Sequence, residues 1–310
     1  DATKGWLPLE DDVVADEPFV GTQRAIFAFG TLYNDTLINL SNLVGSNGVV
    51  ASDVSGVGTA RRNPGAASYG GDKAIFAYGQ ASGGNTNVSN LVNNSGTVAS
   101  DVTGVGTARK YLAAAGYGLD KALFGYGYTD SRVSITNLVS NTGVVGSDVS
   151  GVGTVRYGLA AFTYGIDKAI FGYGDQSGNS SLTNLVNNSG VVAADVTGVG
   201  TARAFLGAAS YGLDKGLFAY GQADSYLSMS NKVSNSGVVA TDTTGVGSAR
   251  GGATASSYNF DKAIFAYGEV SGSATAVSNL VSNSGVVSAD VTAVGTARAH
   301  GGAAGFSTSA

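Results

Sequence analysis

The chain has no cysteine. Disulfides, cysteine-ligated zinc, iron–sulfur clusters and thiolate copper sites are therefore excluded. Its single histidine, His300, gives little support to a histidine-rich metal site or a Ser–His–Asp constellation. Neither a cofactor nor a metal is expected. Tryptophan occurs once and proline three times, and only 13% of the 310 residues are charged. The 17 basic and 22 acidic residues leave a formal net charge of -5. That balance carries no basic footprint for nucleic acid, and no like-charge block suggests a tail. No apolar run approaches the roughly 18–20 residues of a membrane-spanning helix, so no membrane insertion is expected. No signal peptide is visible.

Glycine is abundant instead, at 48 residues, and Ser, Thr, Asn and Ala fill much of the remainder. With so little charge, this composition leans towards an extracellular or virion surface.

The chain is an array of repeats. An apolar run ending in aromatic-glycine (RAIFAFG, KAIFAYG, KALFGYG and their kin) closes at Gly30, Gly79, Gly127, Gly174, Gly221 and Gly268. A second marker, GVGTAR or a close variant, closes at Arg61, Arg109, Arg156, Arg203, Arg250 and Arg298. Two independent markers stay in step at 47–49 residues throughout.

Each unit reads as four short strands. A small-residue strand such as GLAAFTYG suits a crowded innermost position. The KAIFAYG run is a β-branched and aromatic strand with a glycine stop. A variable stretch follows, then an alternating strand such as SITNLV and a turn such as Ser140-Asn141-Thr142-Gly143. Val144–Asp148 reads as the returning strand. No segment has helical periodicity over a useful length.

Four-stranded antiparallel units at this period predict an all-β, six-bladed β-propeller. The N-terminal part lacks a good innermost strand, and Gly302–Phe306 is an innermost strand with no partner after it. Joining them closes the first blade and removes an open edge. The propeller is expected over residues 24–310. Residues 1–23, acidic and carrying Trp6, read as an extension, a strap or an attachment segment.

In the order arginine, small strand, short turn, apolar strand ending in glycine, then outer hairpin, residues 24–306 resemble kelch repeats. The double glycine of that family is Tyr-Gly or Phe-Gly here, and its outer-strand tryptophan is absent. The repeats are also similar, more distantly, to tandem arrays in proteins of tailed phages and aquatic bacteria. The copper-radical chemistry found on some kelch propellers needs a cysteine and histidines, which this composition denies it.

An active site would need residues that five other blades lack, and few candidates exist. His300 stands where the other repeats carry Asn63, Tyr111, Gly158, Phe205 and Gly252, and a surface or inter-blade place is expected for it. Asp53, Asp101, Asp148, Asp195, Asp242 and Asp290 recur once per blade and suit capping of their own turns. The six repeat arginines suit ties to loops or to neighbouring blades. The repeated tyrosines are expected to pack between blades, although a tyrosine ring also offers sugars a stacking face. The loop after the KAIFAYG strand, in contrast, is not copied. Loops on a rigid scaffold commonly carry recognition, so candidate ligand contacts are Tyr33, Asn34, Tyr128, Arg132, Asp175, Gln176, Gln222, Asp224 and Tyr226.

A non-catalytic structural or adhesive module is therefore expected, with surface glycans or proteins of a larger assembly as partners. A kelch-type peptide adaptor is the alternative and would require exposed repeat arginines. A carbohydrate-active enzyme would need unrepeated acids, such as Asp130, Asp175, Asp224 and Glu269, to converge.

Overall fold

The computed structural model describes residues 22–308, and residues 1–21, including Trp6, lie outside them. Thr22 and Gln23, placed in the extension by sequence, are bonded to the body. The N–H groups of Phe260 and Asn259 donate to their carbonyls at 2.8 and 3.0 Å.

Among the described residues the fold is all-β, with two short two-stranded ribbons, Gln80–Ala81 with Gly84–Asn85 and Glu269–Val270 with Ser273–Ala274, and six main antiparallel sheets of three strands each. The first joins both ends of the chain: Gly302–Phe306 pairs with Arg24–Thr31, which pairs with Leu37–Val44. Arg24 stands opposite Phe306, and Ala28 opposite Gly302. The others run in sequence order. They are Gly65–Tyr69, Lys73–Ala77 and Ser89–Val92; Ala113–Tyr117, Lys121–Tyr128 and Arg132–Val139; and Ala160–Tyr164, Lys168–Gly172 and Thr183–Val186. Gly207–Tyr211, Lys215–Ala219 and Ser230–Val233 make the fifth, and Thr254–Tyr258, Lys262–Ala266 and Ser278–Val281 the sixth.

The middle strands are apolar on both faces because both faces are covered. Ala74, Ile75, Phe76 and Ala77 are fully buried, and the equivalent residues of the other sheets match them closely. The innermost strands alternate, with Ala67 and Tyr69 buried and Ala66 and Ser68 half-buried. Small residues are required there because these strands pack on one another in cyclic order. Gly65–Tyr69 meets Ala113–Tyr117, and so on to Thr254–Tyr258, which meets Gly302–Phe306, which returns to Gly65–Tyr69.

Each main sheet has three laddered strands, not the four expected. The returning segment meets the third strand only at two isolated bridges, such as Val44 with Val50 and Ser41 with Val54. Three steps on one side face four on the other, so a residue bulges and the ladder breaks. A buried asparagine side chain fills the gap. Asn42 Nδ2 donates to Ala51 O at 2.9 Å, and Asn90, Asn137, Asn184, Asn231 and Asn279 repeat this bond.

Candidate functional site

The junctions between sheets position everything else. All six repeat arginines are buried, at 0–1% exposure. Each guanidinium stacks on the aromatic residue ending a middle strand. Arg61 lies 3.9 Å from the Phe29 ring centroid, and Arg298 lies 3.8 Å from that of Tyr267. Tyr78, Tyr126, Tyr173 and Tyr220 take Arg109, Arg156, Arg203 and Arg250. Five arginines donate to the buried asparagine of the next sheet, as Arg203 Nη2 does to Asn231 Oδ1 at 2.8 Å. Burial pulls Arg61 down to about 10, with Asp101 opposing, so it remains a cation at neutral pH.

The repeated aspartates do not cap their own turns. Each reaches the junction with the preceding sheet and accepts from a Thr or Ser, as Asp148 does from Thr107 N–H at 3.1 Å and hydroxyl at 2.5 Å. Burial raises each carboxyl. Hydrogen bonds from the hydroxyl, from the asparagine amide and from the backbone N–H outweigh it and hold the group below the aspartate range. The repeated tyrosines at the ends of the middle and innermost strands are likewise buried, leaving no stacking face free.

The residues that are free to differ lie two positions after each arginine. Asn63, Tyr111, Gly158, Phe205, Gly252 and His300 surround one end of a cavity of about 130 Å³, lined by all six innermost strands. All six have a left-handed backbone, with φ of 54–62°. Five main-chain hydrogen bonds link them in order around the mouth, leaving the step between Tyr111 and Asn63 open. Asn63 N–H donates to His300 O, His300 to Gly252, Gly252 to Phe205, Phe205 to Gly158, and Gly158 to Tyr111, at 2.7–3.1 Å. The two glycines make room for their neighbours. A Cβ on Gly158 would meet the Phe205 ring at 3.0 Å, and one on Gly252 would meet the His300 ring at 2.8 Å.

An aromatic cluster caps this mouth. Tyr111 lies 5.5 Å from Tyr157, 5.4 Å from Phe205 and 6.3 Å from His300, ring centre to ring centre. Tyr157 also meets Tyr128 edge-on at 5.4 Å. Such contacts add about 0.5–1.5 kcal/mol each beyond burial, so the cluster is a firm surface.

Backbone bridges tie the variable loops to the mouth. Lys110 pairs with Tyr128, Tyr157 with Asp175, Ala204 with Gln222, and Gly251 with Glu269. Among the residues expected to contact ligand, Tyr128, Arg132, Asp175, Gln222 and Tyr226 thus converge near the mouth. Arg132 Nη2 donates to Asp175 Oδ1 at 2.6 Å, and its guanidinium lies 5.3 Å from the Tyr157 ring. Tyr226 donates to Glu269 Oε2 at 2.8 Å, and His300 Nε2 lies 3.5 Å from Glu269 Oε1. Burial first, and then the bond to Glu269, push the Tyr226 hydroxyl up to about 12. The hydrogen bond from His300 holds Glu269 below its ordinary value, with burial opposing and Tyr226 adding.

The remaining expected contacts do not join the cluster. Tyr33 is 75% exposed, Asn34 Oδ1 accepts only from the local Thr36 N–H, and Asp224 is exposed on its loop tip. Gln176 is half-buried, with its N–H spent on Gly178 O. Sequence reasoning overlooked Tyr111, Tyr157 and Phe205 as members of the mouth. The available signal was the pair after each arginine, which reads RN, KY, YG, AF, GG and AH.

No protein-family model matches the chain, and no curated protein matches it.

Proposed function

We propose that this chain is a closed six-bladed β-propeller with kelch-like repeat order, acting as a non-catalytic adhesive module that binds glycans at a virion or cell surface. One observation carries the reading. Residues that break the repeat gather at one end of the axial cavity, where Tyr111, Tyr157, Phe205 and His300 make an aromatic surface. Fixed polar groups such as Arg132–Asp175 and Tyr226–Glu269 flank them. Aromatic faces beside paired donors and acceptors suit a hydroxylated ring, which presents C–H groups on its faces and O–H groups at its edges.

Two other readings draw less support. A peptide adaptor would use the ring of arginines, and those are buried at the junctions. A glycan-cleaving enzyme would need a free acid and base, whereas Asp175 and Glu269 are both engaged by fixed donors. The test is a glycan array probed with the full chain and with Tyr157→Ala. Binding that falls at least about tenfold in the variant, at unchanged fold, supports the reading; this is about 1.4 kcal/mol. Equal binding by both proteins overturns it.

A further inference from the structure

Most charged groups beside the mouth are already paired. Arg62 donates to Asp35 at 2.8 Å and to Gln80 at 3.0 Å, and Arg132 is held by Asp175. Glu269 accepts from Tyr226 and faces His300. Lys110 is the exception, since no carboxylate among the described residues lies within ion-pairing distance of its ammonium. It has only the Tyr111 ring, 5.4 Å away. Burial and the positive charge of Arg62 hold Lys110 below the ordinary lysine range.

A second donor is also unmet. Asn63 lines the cavity at 7% exposure, and its Nδ2 has no hydrogen-bond partner. A buried donor left unsatisfied costs about 1–3 kcal/mol. Lys110 and Asn63 thus present donors without acceptors on the side of the mouth that holds the Tyr111 ring.

We propose that the mouth selects an acidic saccharide, whose carboxylate is taken by Lys110 and Asn63 while its ring lies on the Tyr111–Tyr157 surface. This rests on the glycan reading above. Two features favour a sugar over an acidic peptide side chain. The Lys110 ammonium lies 5.4 Å from the Tyr111 ring, so charge and aromatic surface adjoin, and the Arg132–Asp175 and Tyr226–Glu269 pairs set donors beside acceptors, as hydroxyls require. Among the described residues no carboxylate supplies the Lys110 ammonium with a counter-charge, and a neutral sugar would add none.

The experiment uses calorimetry on the full chain with matched probes at low ionic strength. Trigalacturonate is compared with its methyl ester, and 3′-sialyllactose with lactose. In at least one pair the acid should bind about tenfold or more tightly than its neutral counterpart, and added salt should erode the difference. Lys110→Gln should bring the acid down to the neutral level without moving the neutral sugar or the thermal midpoint. Equal affinities within both pairs, or an acid preference that survives Lys110→Gln, overturn the proposal and leave glycan binding standing. If no probe of either kind binds, this proposal and the glycan reading fall together.

Discussion

Thr296 clasps Asp53 across 243 residues of chain, donating its N–H at 3.0 and 3.1 Å and its hydroxyl at 2.5 Å. The same clasp joins Thr59 to Asp101, Thr107 to Asp148, Thr154 to Asp195, Thr201 to Asp242 and Ser248 to Asp290. The junction between the first and last sheets therefore shares this clasp with the five along the chain, although there Asn42 Oδ1 lacks the arginine donor that the other five asparagines have.

Asp53→Ala and Asp148→Ala should destabilise the protein alike, by about 1–3 kcal/mol, because each strands the same set of donors. Chemical denaturation of the two variants checks this. A negligible cost at Asp53 beside a normal one at Asp148 would mean that the terminal junction bears little of the fold's stability.

Acid should unfold the protein steeply. All six clasp aspartates are held below the ordinary value of 3.8. A depressed folded pKa means the unfolded chain binds the proton more readily. The stabilisation is therefore complete above 3.8 and is lost as the pH falls through the folded value. Stability followed against pH should drop below about pH 4, and Asp148→Asn should lessen the slope. A flat profile down to pH 2 would remove the clasps as the acid-sensitive element.

Arg203→Ala should cost more than a clasp, about 3–5 kcal/mol. It opens a void above Tyr173 and leaves Asn231 Oδ1 without its donor. Unfolding midpoints in urea measure it. A loss below about 1 kcal/mol would show that the junction re-forms around the gap.

Much of this was legible in the chain, and the reasons differ by element. The spacing of Gly30 and Arg61 with their copies gives the number of sheets, because one unit must bury its face on the next. The unpartnered Gly302–Phe306 pointed to the pairing with Arg24–Thr31. The reach of the aspartates was hidden, since the sequence around Asp53 fits a local capping rule as well as it fits the clasp on Thr296 that the fold uses. The mouth was hidden for another reason. Tyr111 and Phe205 sit inside a link that otherwise looks copied, so attention fell on longer loops, whose tips at Tyr33 and Asp224 are exposed. Nor does sequence reveal that a bulge converts the fourth strand into two bridges patched by Asn42.

The tight turns at the opposite end of the axis store strain. Leu119, Ile166 and Leu213 hold φ of 72–76° while 40–53% exposed, and together with Phe260 they line a second cavity. A β-branched residue in that region is a clear outlier. Ile166→Asn should raise stability by about 1 kcal/mol, since asparagine tolerates the left-handed backbone. A fall in the denaturation midpoint would show that the apolar contacts of Ile166 outweigh its strain.

The polypeptide has a beginning and an end, but the order of its sheets has neither. Thr22 and Ser307 emerge side by side, because Arg24 stands opposite Phe306 and Gln23 N–H donates to Ser307 Oγ at 3.3 Å. A few residues would bridge them, and the cut could then move to an exposed tip such as Ser177–Gly178 without disturbing a ladder. Such a permuted gene would encode the same arrangement of side chains at the mouth while delivering its termini on that face instead. Fusion partners could then be attached at either pole of the molecule.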